Sequence, residues 1–117
     1  MQLQLYGKKI WLYSQPVDFR RSIDGLSYLV MQEIKQPIKE GVFLFLNRKR
    51  DKLKCLSWHK NGFILLYKRL EQNLFSKASL QTQGVIELSR EEMSGLLAGL
   101  EWPKMRDWQE LNYDKFS

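Results

Sequence analysis

The stretch His59-Lys60-Asn61-Gly62 separates two apolar runs, "KLKCLSW" (52 to 58) and "FILLYKRL" (63 to 70). Asn-Gly between two such runs is the strongest short-range hairpin signal, because both residues tolerate positive φ. Two long strands therefore pair, and a two-residue Asn61-Gly62 turn fixes their register. It sets Trp58 opposite Leu65, Leu56 opposite Tyr67 and Lys54 opposite Arg69 on one side of the ladder. Cys55 with Lys68, Ser57 with Leu66 and His59 with Ile64 fall on the other. "GVFLFL" (41 to 46) precedes them as a third strand, so "NRKRD" becomes the loop at one end of a three-stranded meander.

The remaining elements follow from periodicity. Leu3 and Leu5 alternate with Gln2 and Gln4 before Gly7 and "KIWLY", which reads as a short hairpin turning near Gly7. Between Phe19 and Lys35, Ile23, Leu26, Val30 and Ile34 line one face of a helix, with Asp18 or Ser22 as its cap. Gly25 costs this helix roughly 1 kcal/mol relative to Ala and points to close packing; Pro37 ends the helix. "VIEL" (85 to 88) is a short strand. Ser89 with Glu92 forms a capping box for a second helix with Met93, Leu96, Leu97 and Leu100 on its buried stripe, stopped by Trp102-Pro103. The expected fold is a single α+β domain over residues 1–102, an antiparallel sheet with a central three-stranded meander and two main helices. Residues 103–117 form a polar tail docked on it. At 117 residues and 44% hydrophobic content, the chain is long enough for one core and too short for two domains.

Charge is localised. Arg48, Lys49, Arg50, Lys52, Lys54, Lys60, Lys68 and Arg69 stand against Asp51 alone, so residues 48–69 carry +7 of a net +6 and the rest of the chain is slightly negative. Residues 86–117 hold seven acids and four bases. Like charges facing each other on a sheet are destabilising by a few tenths of a kcal/mol to about one, so fold stability alone does not ask for this cluster. It suits an anionic partner. A solvated turn whose lysines guard a sheet edge is the plainer reading of the loop by itself.

Chemistry has few footholds. His59 is the only histidine and adjoins a turn; Cys55, the only cysteine, lies in a strand and forms no internal disulfide, which fits a reducing cytoplasm. There is no zinc-type spacing, no phosphate-cradling glycine motif and no apolar run of membrane-spanning length, so no metal, cofactor or membrane partner is expected. Asp18, Asp24, Asp51 and Glu71 are the acids a cryptic two-metal nuclease would need, but Asp18 and Asp24 read as helix-start residues and Asp51 as a turn former. Phe43, Phe45, Trp58, Phe63 and Tyr67 could stack on bases, although a small domain needs most such side chains inside.

Four colinear segments, "VDFRRSIDGL" (17 to 26), "GVFLFLNRKRDKLKCLSW" (41 to 58), "NGFILLYKRLE" (61 to 71) and "LSREEMSGLLAGLEW" (88 to 102), together resemble the TnpB-type accessory protein. That family is the second-open-reading-frame product of the insertion sequence sixty-six class of bacterial transposable elements. The resemblance implies a non-catalytic protein of DNA transposition acting with a separate transposase that carries the acidic active site. It has no catalytic residues to transfer. Arg48, Arg50, Lys54, Lys68, Arg69 and Glu71 match its basic motif, and Arg20 and Arg21 its "DFRR" motif. After "KRLE" this chain keeps only Phe75 of the family's Gly-Arg-Phe and Trp-Pro continuation, and His59 and Lys60 make its turn more basic.

The expected DNA-contacting set is therefore Arg48, Lys49, Arg50, Lys52, Lys54, Lys68, Arg69, Arg20 and Arg21, engaging phosphates rather than bases. Transposase and other accessory proteins of the element are the expected protein partners. An adaptor whose basic face meets an acidic protein patch, without touching DNA, is the alternative.

Overall fold

The computed structural model describes residues 7–76 and 84–99. Among them, five strands and two α-helices follow in the order β1 (Lys9–Tyr13), α1 (Ile23–Leu29), β2 (Gly41–Leu46), β3 (Lys52–His59), β4 (Gly62–Arg69), β5 (Val85–Leu88) and α2 (Arg90–Leu97). The strands form one sheet in the order β4-β3-β2-β1-β5. The α+β class, the β2–β3–β4 meander and "VIEL" as a strand match the expectation. The sheet is not wholly antiparallel, however: β1 and β2 run parallel, with Lys9 beside Gly41 and Leu12 beside Leu44. The reason is the helix between them, which carries the chain back so that β2 enters from the same end as β1.

β2 lies at the centre and is buried along its whole length. Its alternate side chains feed two cores. Val42, Leu44 and Leu46 join Leu12, Leu53, Phe75, Met93 and Leu96 on the α2 side, while Phe43 and Phe45 join Leu26, Val30, Ile34 and Leu56 on the α1 side. Two helices thus cover opposite faces of one sheet.

α1 begins later than its periodicity suggests. Ser22 is its cap, its hydroxyl accepting the Ile23 N–H (2.6 Å), whereas Asp18 caps nothing and instead takes the N–H of Arg20 (2.9 Å). The helix continues into a wider π-helical turn, Val30–Ile34, closed when the Lys35 N–H donates to the Val30 carbonyl (2.7 Å). Lys35 has a left-handed φ of 58°, so the helix stops just short of Pro37. Gly25 does mark a close approach: a Cβ there would lie 3.1 Å from Arg21 Cβ and Cγ. At α2, both halves of the capping box form, the Ser89 hydroxyl accepting from Glu92 N–H and Glu92 Oε1 accepting from Ser89 N–H, each at 3.0 Å. The expected N-terminal strand before Gly7, the Trp102-Pro103 stop and the 103–117 tail lie outside the described residues.

The hairpin register differs by two residues from the expectation. His59 pairs with Gly62, Trp58 with Phe63, Leu56 with Leu65, Lys54 with Tyr67 and Lys52 with Arg69. Lys60 and Asn61 form the turn, and the positive φ, 55°, belongs to Lys60. Gly62 is spent as the first paired residue of β4. What this register gains is an edge-to-face contact between Trp58 and Phe63, with ring centroids 5.0 Å apart. A two-residue slip leaves every side chain on its expected face.

Candidate nucleic-acid interface

The basic loop is built around Asn47. Its side-chain carbonyl accepts the N–H groups of Asp51 and Lys52 (3.1 Å each), and its amide donates to Asp51 Oδ1 (2.7 Å). That bond, with Lys49 and Lys52 nearby, holds the Asp51 carboxyl below the usual carboxylate range. Asp51 is therefore an organiser of the turn, as expected of it. Arg50 takes a left-handed φ of 65°. Its guanidinium donates to the Phe75 carbonyl (2.8 Å), and its own carbonyl accepts the Phe75 N–H (2.7 Å), so Arg50 fastens the chain leaving β4 to the loop. Arg48 and Lys49 are exposed beside it.

Lys54 has an unforeseen position. It is 7% exposed, and its ammonium donates to the carbonyls of Phe19 (2.8 Å) and Arg21 (2.7 Å). Its Nζ lies 4.9 Å from the Phe19 ring centroid and 5.9 Å from that of Tyr67, and those two rings meet edge-on at 6.2 Å. Burial lowers its pKa, and the charge of Asp18 works in the opposite direction. The residue at the heart of the basic motif is thus a tie between β3 and the "DFRR" segment, holding that segment by its backbone and leaving both arginine side chains exposed.

One step further along the same face, Lys52 and Arg69 sit opposite each other at the loop end of the ladder. Lys52 and Arg69 thus share the loop end of the α1 face, the Lys54 tie holds to that same face the segment bearing Arg20 and Arg21, and Arg48 and Lys49 belong to the loop itself. Arg20 is paired with Asp18 (2.6 Å), whose carboxyl it lowers to about 2; Arg69 is paired with Glu71 (2.9 Å). Both pairs are exposed, a setting in which ion pairs add little net stability. Arg21 Nη1 reaches the Gly25 carbonyl at 3.3 Å. Lys68 is on the other face, where its ammonium donates to the Leu97 carbonyl (2.6 Å) at the C-terminal end of α2, a favourable place for a cation.

The other candidates divide by burial. Phe43 and Phe45 are fully buried, Trp58 and Phe63 are half-buried against each other, and Tyr67 is 55% exposed beside the cations. Cys55 is buried, which pushes its thiol up to about 12. His59 is exposed at the turn. Among the described residues, no group of three His, Cys, Asp or Glu is arranged to hold a metal ion, and no helix is long and apolar enough to cross a membrane. Sequence reasoning missed Lys54 as a tie, although a lysine in line with the apolar Leu56 and Trp58 of "KLKCLSW" is the clue. It also missed Lys8, which donates to Ser57 Oγ (3.2 Å) and to the Trp58 carbonyl, and Lys39, 4.5 Å above the Trp58 ring.

The chain belongs to the family described as IS66 Orf2 like protein, whose model matches residues 8–107. It is thereby an accessory protein of an insertion sequence, associated with a transposition system. It is 37% identical over 101 residues, 86% of each chain, to the uncharacterized protein y4jC of Sinorhizobium fredii (strain NBRC 101917 / NGR234). No solved structure matches it.

Proposed function

We propose that this chain is a non-enzymatic accessory factor of DNA transposition that grips the phosphate backbone of element DNA and assists a separate transposase, together with other accessory proteins of the element. Arg20, Arg21, Arg48, Lys49, Lys52 and Arg69 make the phosphate contacts, while Arg50 and Lys54 hold the scaffold and Lys68 serves α2. The observation that carries this reading is the Lys54 tie. Burying an ammonium group has a desolvation cost, and what this one secures is a segment bearing two exposed arginines. A surface meant only to be solvated has no use for such a fixture. Arginine guanidinium groups suit phosphate oxygens because they donate in a planar fork. The carboxylates now on Arg20 and Arg69 are exposed, so a phosphate can replace them at little cost.

Six phosphate contacts predict that affinity for random duplex falls with salt at a log–log slope of roughly −5. Replacing Arg20, Arg48 and Arg69 together with Glu should abolish retention on duplex DNA while leaving the circular dichroism spectrum unchanged. Unaltered retention rejects this surface as the site. The pairing of Arg20 and Arg69 with carboxylates favours a second reading, an adaptor whose basic face meets an acidic patch on the transposase. Negligible duplex affinity at moderate salt, with co-purification of the transposase, selects that adaptor.

A further inference from the structure

The two edges of the sheet differ. β5 is four residues long and carries Glu87, so it has both of the usual protections, brevity and charge. β4 is eight residues long, and from Gly62 to Tyr67 it reads "GFILLY", without a charge or a proline. Phe63, Ile64, Leu65 and Leu66 are left half-buried, in contrast to the fully covered β2. Among the described residues, no strand pairs with the far side of β4.

The direction of its backbone groups follows from the ladder. The Leu70 N–H donates to the Asp51 carbonyl (2.7 Å), and at the other strand the Lys52 carbonyl turns toward Asn47 N–H (3.3 Å). Hydrogen-bonded and open positions alternate along an antiparallel pair, so even-numbered residues of β4 bond to β3. The N–H and C=O groups of Phe63, Leu65 and Tyr67 therefore point away from the sheet.

We propose that a second copy of this chain fills that edge, with β4 pairing antiparallel to itself about a two-fold axis at Leu65. The strand is its own complement in this arrangement. Leu65 faces its counterpart, Leu66 faces Ile64, Phe63 faces Tyr67, and the cationic Arg69 faces the neutral turn residue Asn61 of the other copy. A parallel alignment would instead stack Lys68 and Arg69 on their own copies, like charge against like. Closure by a two-fold axis also uses up the β4 edge of both copies and leaves only the short, charged β5 edges outside, which disfavours further growth. The axis is perpendicular to the sheet, so both α1 faces look the same way. The two Arg69 residues then lie eight strand positions apart, about 27 Å at ~3.4 Å per residue, a span close to eight base pairs of duplex. That last consequence rests on the phosphate-binding reading; the pairing itself does not.

Sedimentation of the full chain without DNA tests the pairing. The expected result is a species of twice the 14.0 kDa chain mass at tens of micromolar, dissociating on dilution. Amide hydrogen exchange at Phe63, Leu65 and Tyr67 should slow as the concentration rises. Tyr67→Pro removes an outward N–H that bonds to nothing among the described residues, and should give a folded monomer. A single-chain mass at every concentration, with fast exchange at those three amides, overturns the proposal. A Tyr67→Pro dimer as tight as the unaltered one overturns the β4 location. Should Tyr67→Pro fail to fold, the exchange experiment on the unaltered chain still decides. A dimer that binds no DNA supports the pairing and removes only the DNA reading.

Discussion

Lys68 and Arg69 are neighbours with the same charge, yet they belong to opposite surfaces. Lys68 extends to the α2 side and closes the last turn of that helix through the Leu97 carbonyl. Arg69 extends to the α1 side, opposite Lys52 and beyond the Tyr67–Phe19–Lys54 cluster that anchors Arg20 and Arg21. The α2 face thus spends its cation on its own helix, whereas the α1 face keeps cations exposed around a buried tie. A basic run on a strand has to be divided by its alternation before it is counted as one patch.

The largest effect that would break this contrast is at Lys54. Lys54→Met keeps the length and apolar stem but leaves the Phe19 and Arg21 carbonyls without their donor, which should lower unfolding free energy by about 1–3 kcal/mol in urea titrations. Duplex affinity should fall with it, although the Lys54 ammonium touches no phosphate. An affinity that survives this change would mean that Arg20 and Arg21 do not act from the anchored position.

A smaller effect concerns the exposed pair beside the tie. Asp18 is held down to about 2 by its hydrogen bonds from Arg20, against an ordinary 3.8. Its contribution to stability is therefore fully present above pH 4 and is lost as pH falls through about 2. Arg20→Gln should move the Asp18 titration, followed by carboxyl NMR shifts, up toward its ordinary value but not all the way, because the backbone N–H of residue 20 still donates to the carboxylate. No movement would show that Arg20 is already free of Asp18 in solution.

Much of this contrast is legible in the sequence. Periodicity marks the buried stripe of α1 and, at Met93 and Leu96, that of α2, whose expected Leu100 lies outside the described residues, and the Ser89–Glu92 box sets the start of α2, because these depend on local spacing alone. Strand alternation sorted side chains correctly even though the turn was misplaced by two residues, since an even slip preserves faces. The register itself depends on tertiary packing: edge-to-face packing of Trp58 against Phe63 goes with Lys60-Asn61, not Asn61-Gly62, at the turn centre. The parallel β1–β2 pair was hidden because short apolar strands carry no mark of direction. The fate of Lys54 required knowing that the chain before α1 crosses over β3, a contact between residues more than thirty positions apart.

The division of the basic run is tested most directly by removing one charge from each member of the adjacent pair and measuring the salt dependence of binding to random duplex DNA. Arg69→Gln should weaken binding and reduce the magnitude of the log–log slope by about 1, while Lys68→Gln should leave both affinity and slope as they were. Equal losses from the two variants, or a loss from Lys68→Gln alone, would contradict the assignment of the α1 face as the DNA-binding surface.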